Sequence, residues 1–173
     1  MSIVACGLPA SSELSAGMGQ RADFRDAYRA PLRLTDLGVA EIFAAIFARR
    51  PFWMSAALVV RNSAAALVGL EAPKAAEILR FEPKEAYSVG EKIGPWPIFF
   101  LAADELVAGR DNKHMDFRVS VMKVHDAVGP GVVLSTVCAV HNKFGRRYLS
   151  AVIPFHRFGV RKLMANAVAA HRL

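Results

Sequence analysis

Residues 113–124 alternate polar and apolar side chains, which is the pattern of a half-buried β-strand. Residues 132–141 form a second run, rich in β-branched and small side chains, and residues 148–153 predict a third strand. The alternation of the first run divides its side chains between two faces of the expected sheet. One face would carry His114, Asp116, Arg118 and Ser120, and the other Met115, Phe117, Val119 and Val121.

Two turn signals separate the three strands: a Gly-Pro-Gly tripeptide at residues 129–131, and residues 143–146. If the first hairpin is symmetric about its turn, His114 lies near Asn142. A slip of one residue would bring His141 to that position instead, because side chains alternate between faces with a period of two. The symmetric pairing would gather six polar side chains on one face: His114, Asp116, Arg118, Ser120, Asn142 and Tyr148.

The first half of the chain predicts one strand, at residues 23–32, followed by two helices. The second helix is expected over residues 51–69, since proline suits the first helical position and glycine the position just past the end. Thr35 or Asp36 can cap the first helix. The apolar residues of that helix recur at helical spacing and are Val39, Ile42, Phe43, Ile46 and Phe47.

Two short strands are predicted at residues 98–101 and 105–108, and after Pro154 the pattern becomes helical to the C-terminus. A curved antiparallel sheet must cover its apolar concave face, and the terminal helix, about residues 155–172, is the element available. The order predicts an α+β helix-grip fold, with the sheet wrapped on that helix and two shorter helices near the N-terminus. The side of the terminal helix expected to face the core carries Phe155, Phe158, Leu163 and Ala167.

The length of 173 residues predicts a single domain, expected over residues 21–173. Residues 1–20 are expected to be a flexible tail. The tail has no basic start and no long apolar run, so it does not predict a signal peptide. The apolar share is 54%, yet polar residues 61–63 interrupt the longest apolar stretch, residues 52–70, which predicts a buried helix. Two cysteines make no disulfide framework, and we expect a cytoplasmic protein.

The formal net charge of +7 lies entirely in the last third of the chain, because residues 127–173 contain no Asp or Glu. A basic end can serve an anionic partner, and the alternative is a set of solvated side chains. No zinc-finger spacing or aromatic–basic interleaving indicates a specific nucleic-acid module. The arginines that could form a weak anion-binding surface are Arg146, Arg147, Arg157 and Arg161.

Three motifs resemble those of the domain of unknown function 2867 family. They are DNKHMDFRVS at residues 111–120, HNKFGRRY at 141–148 and PFH at 154–156, and Asp-Ala-Tyr at 26–28 also looks like a family position. The resemblance covers about residues 22–172. It implies a helix-grip fold of the START-like type and no established activity. The matching motif positions are Lys113, His114, Asp116, Phe117, Arg118, Ser120, His141, Asn142, Gly145, Arg146 or Arg147, Pro154, Phe155 and His156.

The predicted chemistry centres on the polar face of the first hairpin. Asp116 could hold Arg118 or orient His114 as an acid or base. The same side chains also fit simpler roles, as a surface ion pair or as a tie between strands. The candidate ligand-binding residues are His114, Asp116, Arg118, His141, Asn142 and Tyr148.

The leading functional hypothesis is a binding domain for a small apolar or amphipathic molecule, held in a cavity between the sheet and the terminal helix. The alternative is an enzyme of the cyclase or dehydratase type, which requires His114 and Asp116 to face that cavity. No Gly-x-Gly-x-x-Gly element is present, so no nicotinamide site or other cofactor is predicted. The histidines at 114, 141 and 156 lack diagnostic metal-ligand spacing, so we predict no metal site.

Overall fold

The computed structural model describes residues 3–49, 84 and 86–173. Its strands form one curved antiparallel sheet of seven strands. They are β1 (Val4–Cys6), β2 (Phe24–Pro31), β3 (Lys92–Ile93), β4 (Trp96–Leu101), β5 (Glu105–Asp111), β6 (Met115–Asp126) and β7 (Gly129–Val140). Their order across the sheet is β1-β2-β7-β6-β5-β4-β3.

The helices of the described residues are α1 (Glu13–Ala16), a 3-10 helix (Met18–Arg21), α2 (Val39–Phe47) and the terminal α3 (Lys143–Ala169). The long α3 packs with the curved sheet, so the predicted α+β helix-grip fold is confirmed. Apolar residues at helical spacing place α2 on the same core, as the sequence predicts. The second helix expected at residues 51–69 lies outside the described residues.

The hairpin of β6 and β7 turns at residues 127–128, with Asp126 opposite Gly129. The sequence predicts this turn at the Gly-Pro-Gly tripeptide, which instead opens β7. The pairing is therefore the slipped one, in which the backbone N–H of His141 donates to the carbonyl oxygen of His114 at 2.9 Å. Gly129 supports the tight turn because its φ of 101° is costly for residues with a Cβ.

The predicted turn at 143–146 and strand at 148–153 are wrong, because α3 already begins at Lys143. Asn142 caps the helix, and its Oδ1 accepts a hydrogen bond from the Gly145 N–H at 2.9 Å. A Cβ at Gly145 would lie 2.3 Å from the carbonyl oxygen of His114, so glycine lets the first turn sit on the hairpin. Tyr148 is consequently on the helix and does not join the strand face.

The main core lies between the concave face of the sheet, α2 and the second half of α3. Pro154 lies inside α3, although prolines usually mark helix starts, which is why the sequence predicts a start there. The orientation expected for Phe155 and Phe158 is wrong, since both are exposed. The α3 residues buried in the main core are Val160, Leu163, Met164 and Ala167.

The N-terminal segment covers part of the opposite, outer face of the sheet. β1 pairs with β2, and Leu14 of α1 packs against Val107 and Val137. This packing differs from the flexible tail that the sequence predicts for residues 1–20. The sheet is therefore covered on both sides, by α2 and α3 on the inner face and by the N-terminal segment on part of the outer one.

Candidate functional site

The polar face of β6 turns away from the main core. Val119 is buried in that core and Phe117 packs against it. His114, Asp116 and Arg118 alternate with these residues and therefore lie on the outer face of the sheet. The cavity-facing arrangement that the acid–base hypothesis requires of His114 and Asp116 is thus not found in the described part of the chain.

His114 contacts the cap of α3. Its Nδ1 lies 3.0 Å from Nδ2 of Asn142, whose amide also donates to the carbonyl oxygen of Lys113 at 3.0 Å. The His114 ring lies against Phe144, with 4.9 Å between ring centroids. The expected proximity of His114 and Asn142 is present despite the slipped register, because the cap side chain reaches back to the hairpin. The role of this contact is to hold the start of α3.

The remaining outer-face candidates form separate ion pairs. Asp116 Oδ1 lies 3.0 Å from Nε2 of His141. Arg118 pairs with both carboxylate oxygens of Asp111 and stacks on Phe99, with 3.4 Å from its guanidinium carbon to the ring centroid. Asp116 therefore does not hold Arg118. Partly exposed pairs of this kind contribute little energy, and they tie neighbouring strands together.

A different Asp–His pair lies on the inner face. Asp26 of β2 lies two residues from Phe24 and from Tyr28 and shares their inner face, and Nε2 of His156 on α3 lies 3.3 Å from its Oδ1. The two side chains are 11% and 19% exposed, respectively. Oδ2 of Asp26 is buried and has no hydrogen-bond partner among the described residues. An inner-face carboxylate thus retains one open acceptor.

Tyr28 and Cys138 lie near Asp26 and keep their protons at neutral pH. Burial, and then the charge of Asp26 and a side-chain hydrogen bond to its carboxylate, raise the pKa of Tyr28. Burial, followed by the charges of Asp26 and Asp23, raises the pKa of Cys138 to about 12. Cys138 is therefore an uncharged thiol and not a nucleophile.

Apolar side chains flank the Asp26–His156 pair on both sides. Toward the start of α3, Phe24, Cys138 and Leu149 form a buried cluster. Toward its end lies the main core, which includes Tyr28 and Val160. The pair is therefore a polar group between two apolar regions at the junction of the sheet and α3.

Two concave depressions border the described residues. One, of about 410 Å³, lies between the N-terminal segment and β2, and its wall includes Cys6, Arg25 and Asp26. The other, of about 250 Å³, lies near the end of α3, beside Arg33 and His171. Neither lies between the sheet and the inward side of α3, where the sequence predicts a ligand cavity. Asp26 borders the first depression, but the rest of its wall belongs to the N-terminal segment and to outward-facing Arg25, on the side of the sheet opposite the Asp26 carboxylate.

The family model described as a protein of unknown function (DUF2867) matches residues 18–163. The chain belongs to the DUF2867 family. No curated protein and no solved structure matches it. The matched region contains both Asp26 and His156. In this DUF2867 domain, the Asp-Ala-Tyr and Pro-Phe-His motifs, far apart in sequence, meet at the inner-face pair.

The DUF2867 domain also buries a carboxylate on its outer face. Glu105 is 2% exposed. Its Oε1 accepts hydrogen bonds from the hydroxyls of Ser12 and Ser120, both at 2.5 Å, and its Oε2 accepts one from the Glu13 N–H at 2.7 Å. Ser135 lies opposite Ser120 on the neighbouring strand β7, and its buried hydroxyl has no partner among the described residues. Glu105 fastens the N-terminal segment to the sheet.

Two of the four arginines considered as an anion-binding surface contact other residues of the domain. Arg146 lies 3.3 Å from Asp23, and Arg157 lies over the ring of Phe24 at 5.7 Å. Arg147 and Arg161 are exposed on α3 and have no ion pair in the described part of the chain. The four arginines therefore do not form one equivalent set, since two of them contact β2 or the residue before it and the other two face solvent.

The described ranges contain no helix that is both long and apolar enough to cross a membrane. Within the same ranges, no group of three or more His, Cys, Asp or Glu side chains is arranged to hold a metal ion.

Asp26 and His156 are not among the site residues that the sequence predicts. Their positions carried one signal, since both lie in motifs that resemble the family. Their spacing in the sequence does not predict the contact, because 129 residues lie between them. The contact forms in the folded chain, where α3 carries His156 past β2.

Proposed function

We propose that this DUF2867 domain binds a small amphipathic molecule whose polar end carries a hydrogen-bond donor. The observation that carries the proposal is the buried Oδ2 of Asp26, which lacks a hydrogen-bond partner in the described residues. Buried polar atoms are usually satisfied, because an open acceptor loses its water without compensation. A ligand hydroxyl or ammonium group would supply the missing donor, and a carboxylate would be repelled.

The surroundings of Asp26 suit the apolar part of such a ligand. Apolar clusters lie on both sides of the pair, so an apolar chain whose polar end reached Oδ2 of Asp26 would be next to them. A few polar groups that fix orientation within a mainly apolar surface are typical of ligand sites. His156, which holds Oδ1, would keep the carboxylate oriented toward the ligand.

Native mass spectrometry of the protein purified from cells tests whether a small molecule is retained. A matched panel of dodecylamine, dodecanol and dodecanoate then tests the polar end, because the three probes share one chain length. We expect the amine and the alcohol to bind and the carboxylate to bind most weakly. Equal affinity for all three, or preference for dodecanoate, would contradict an anchor made by Asp26.

Acid–base catalysis of the cyclase or dehydratase type is a second candidate function. The Asp26–His156 contact favours it, since an aspartate that orients a histidine is a common acid–base arrangement. The pair would then replace His114 and Asp116 in that role. A retained hydroxylated ligand that loses the mass of water with the wild-type domain, but not with His156→Gln, would support catalysis. Unchanged turnover in His156→Gln would rule out this pair.

A further inference from the structure

The outward side of α3 combines exposed aromatic rings with unpaired cations. Phe155 is 79% exposed and Phe158 is 62% exposed, although phenyl rings are among the side chains that gain most from burial. Arg161 and Lys162 follow within one turn, and Arg147 lies two turns before. At 3.6 residues per turn, these five positions fall within an arc of about 120°.

The charge of this surface has one sign. Residues 127–173 contain seven Lys or Arg and no Asp or Glu. Arg147, Arg161 and Lys162 are exposed and make no ion pair with the described residues. By contrast, Arg146 and Arg157, on the flank of the helix, contact Asp23 and Phe24. The cations beside the two rings are therefore available to an external anion.

We propose that this side of α3 docks on an anionic lipid surface. The rings would enter the boundary between headgroups and acyl chains, while the arginines and the lysine would stay at the level of the phosphates. Charge complementarity selects an anionic membrane, because each Lys or Arg near such a surface contributes favourably. A single convex helix side also suits a flat surface better than a groove. This inference does not depend on the proposed ligand site.

Co-sedimentation with vesicles tests the docking surface. We expect the protein to bind phosphatidylcholine–phosphatidylserine vesicles, to bind pure phosphatidylcholine vesicles much more weakly, and to be released as salt screens the charges. Phe155→Ser/Phe158→Ser and Arg161→Gln/Lys162→Gln should each lower the partition coefficient about tenfold or more. Circular dichroism and thermal unfolding of each variant establish that the fold is intact before its binding is compared with that of the wild type.

Two matched controls separate this surface from general charge and hydrophobicity. Arg21→Gln/Lys113→Gln removes the same net charge elsewhere, and Val128→Ser removes an exposed apolar side chain at the hairpin tip. Both should bind the vesicles like the wild type. The proposal is overturned if the controls lose as much binding as the α3 variants, or if both vesicle types bind equally.

Two further outcomes would also overturn it. Binding to polyuridylate as tight as binding to the anionic vesicles would assign the surface to a nucleic acid. A concentration-dependent dimer in analytical ultracentrifugation that Phe155→Ser/Phe158→Ser abolishes would assign the rings to a second copy of the chain.

Discussion

Glu105 and Asp26 carry two largely buried carboxylates, which lie on opposite faces of the same sheet. Glu105 accepts three short hydrogen bonds, which come from Ser12, Glu13 and Ser120. Asp26 contacts Nε2 of His156 at 3.3 Å and interacts with the nearby Tyr28 hydroxyl, and its second oxygen has no partner among the described residues. One carboxylate is saturated by the protein, and the other is left incomplete.

The difference separates a structural role from a binding role. A buried charge is stable only when donors replace the lost water, and Glu105 obtains them from the N-terminal segment that it fastens. An incomplete shell, as at Asp26, costs stability, and a functional role is one reason why a native protein keeps such a group. The comparison therefore assigns the outer carboxylate to the fold and the inner one to the proposed site.

Removing the outer carboxylate should have the largest effect on stability. Glu105→Ala would leave two buried hydroxyls and one partly buried N–H without an acceptor, so the free energy of unfolding should fall by roughly 4 kcal/mol. The exposed neighbour Asp104 offers a control, and Asp104→Ala should change it by less than about 0.5 kcal/mol. Urea denaturation measures both. A loss below about 1 kcal/mol in Glu105→Ala would show that the network is not structural.

Alkaline pH should destabilise the inner face through Cys138. The pKa of this thiol rises from 9.0 to about 12 on folding, so the unfolded chain loses its proton first. Stability from this group is complete below pH 9 and falls as the pH rises toward 12. At about pH 10.5 the loss is about 2 kcal/mol, at about 1.4 kcal/mol per pH unit.

Comparison of the wild type with Cys138→Ala isolates this contribution, because other alkaline titrations are shared by both proteins. The stability difference between them should shrink above pH 9. In Asp26→Asn, stability should fall less steeply with rising pH than in the wild type, because the charge of Asp26 is the second-largest cause of the raised Cys138 pKa. Parallel curves for the wild type and Cys138→Ala between pH 9 and 10.5 would contradict the burial of this thiol.

Replacing the inner carboxylate should have the smallest effect on stability. Asp26→Asn loses one weak contact to His156 and removes a poorly satisfied charge, so the free energy of unfolding should change by less than about 1 kcal/mol. Urea denaturation beside Glu105→Ala measures the contrast. A loss as large as that of Glu105→Ala would mean that Asp26 is also structural.

The pattern of apolar positions was sufficient for the architecture. The alternation in β6 and the helical spacing in α2 predicted both elements, because each buries one face against the core. The hairpin register was not determined, since both faces of β7 are apolar or small and a slip of one residue preserves the pattern. The face of β6 that carries His114 and Asp116 is fixed instead by the burial of Val119 and Phe117 on the other face.

The start of α3 was the decisive feature that local pattern could not supply. Pro154 suggested a helix beginning there, yet the Asn142 cap and the close approach of Gly145 to His114 begin it at Lys143. The earlier start places His156 in the middle of a long helix, where it meets Asp26 of β2. The exposed Phe158 has a simpler cause, because it lies nine residues, or about two and a half turns, before the buried Ala167 and therefore on the opposite side of the helix.

The affinity of dodecylamine for variants of the two Asp–His pairs tests the central assignment most directly. Isothermal titration calorimetry would compare the wild type with Asp26→Asn, and with Asp116→Asn as a control that alters the outer Asp116–His141 pair. We predict that Asp26→Asn raises the dissociation constant about tenfold or more, because a charge-assisted hydrogen bond is lost, while Asp116→Asn leaves it unchanged. Equal affinity of the wild type and Asp26→Asn would contradict the assignment of the inner carboxylate to ligand binding.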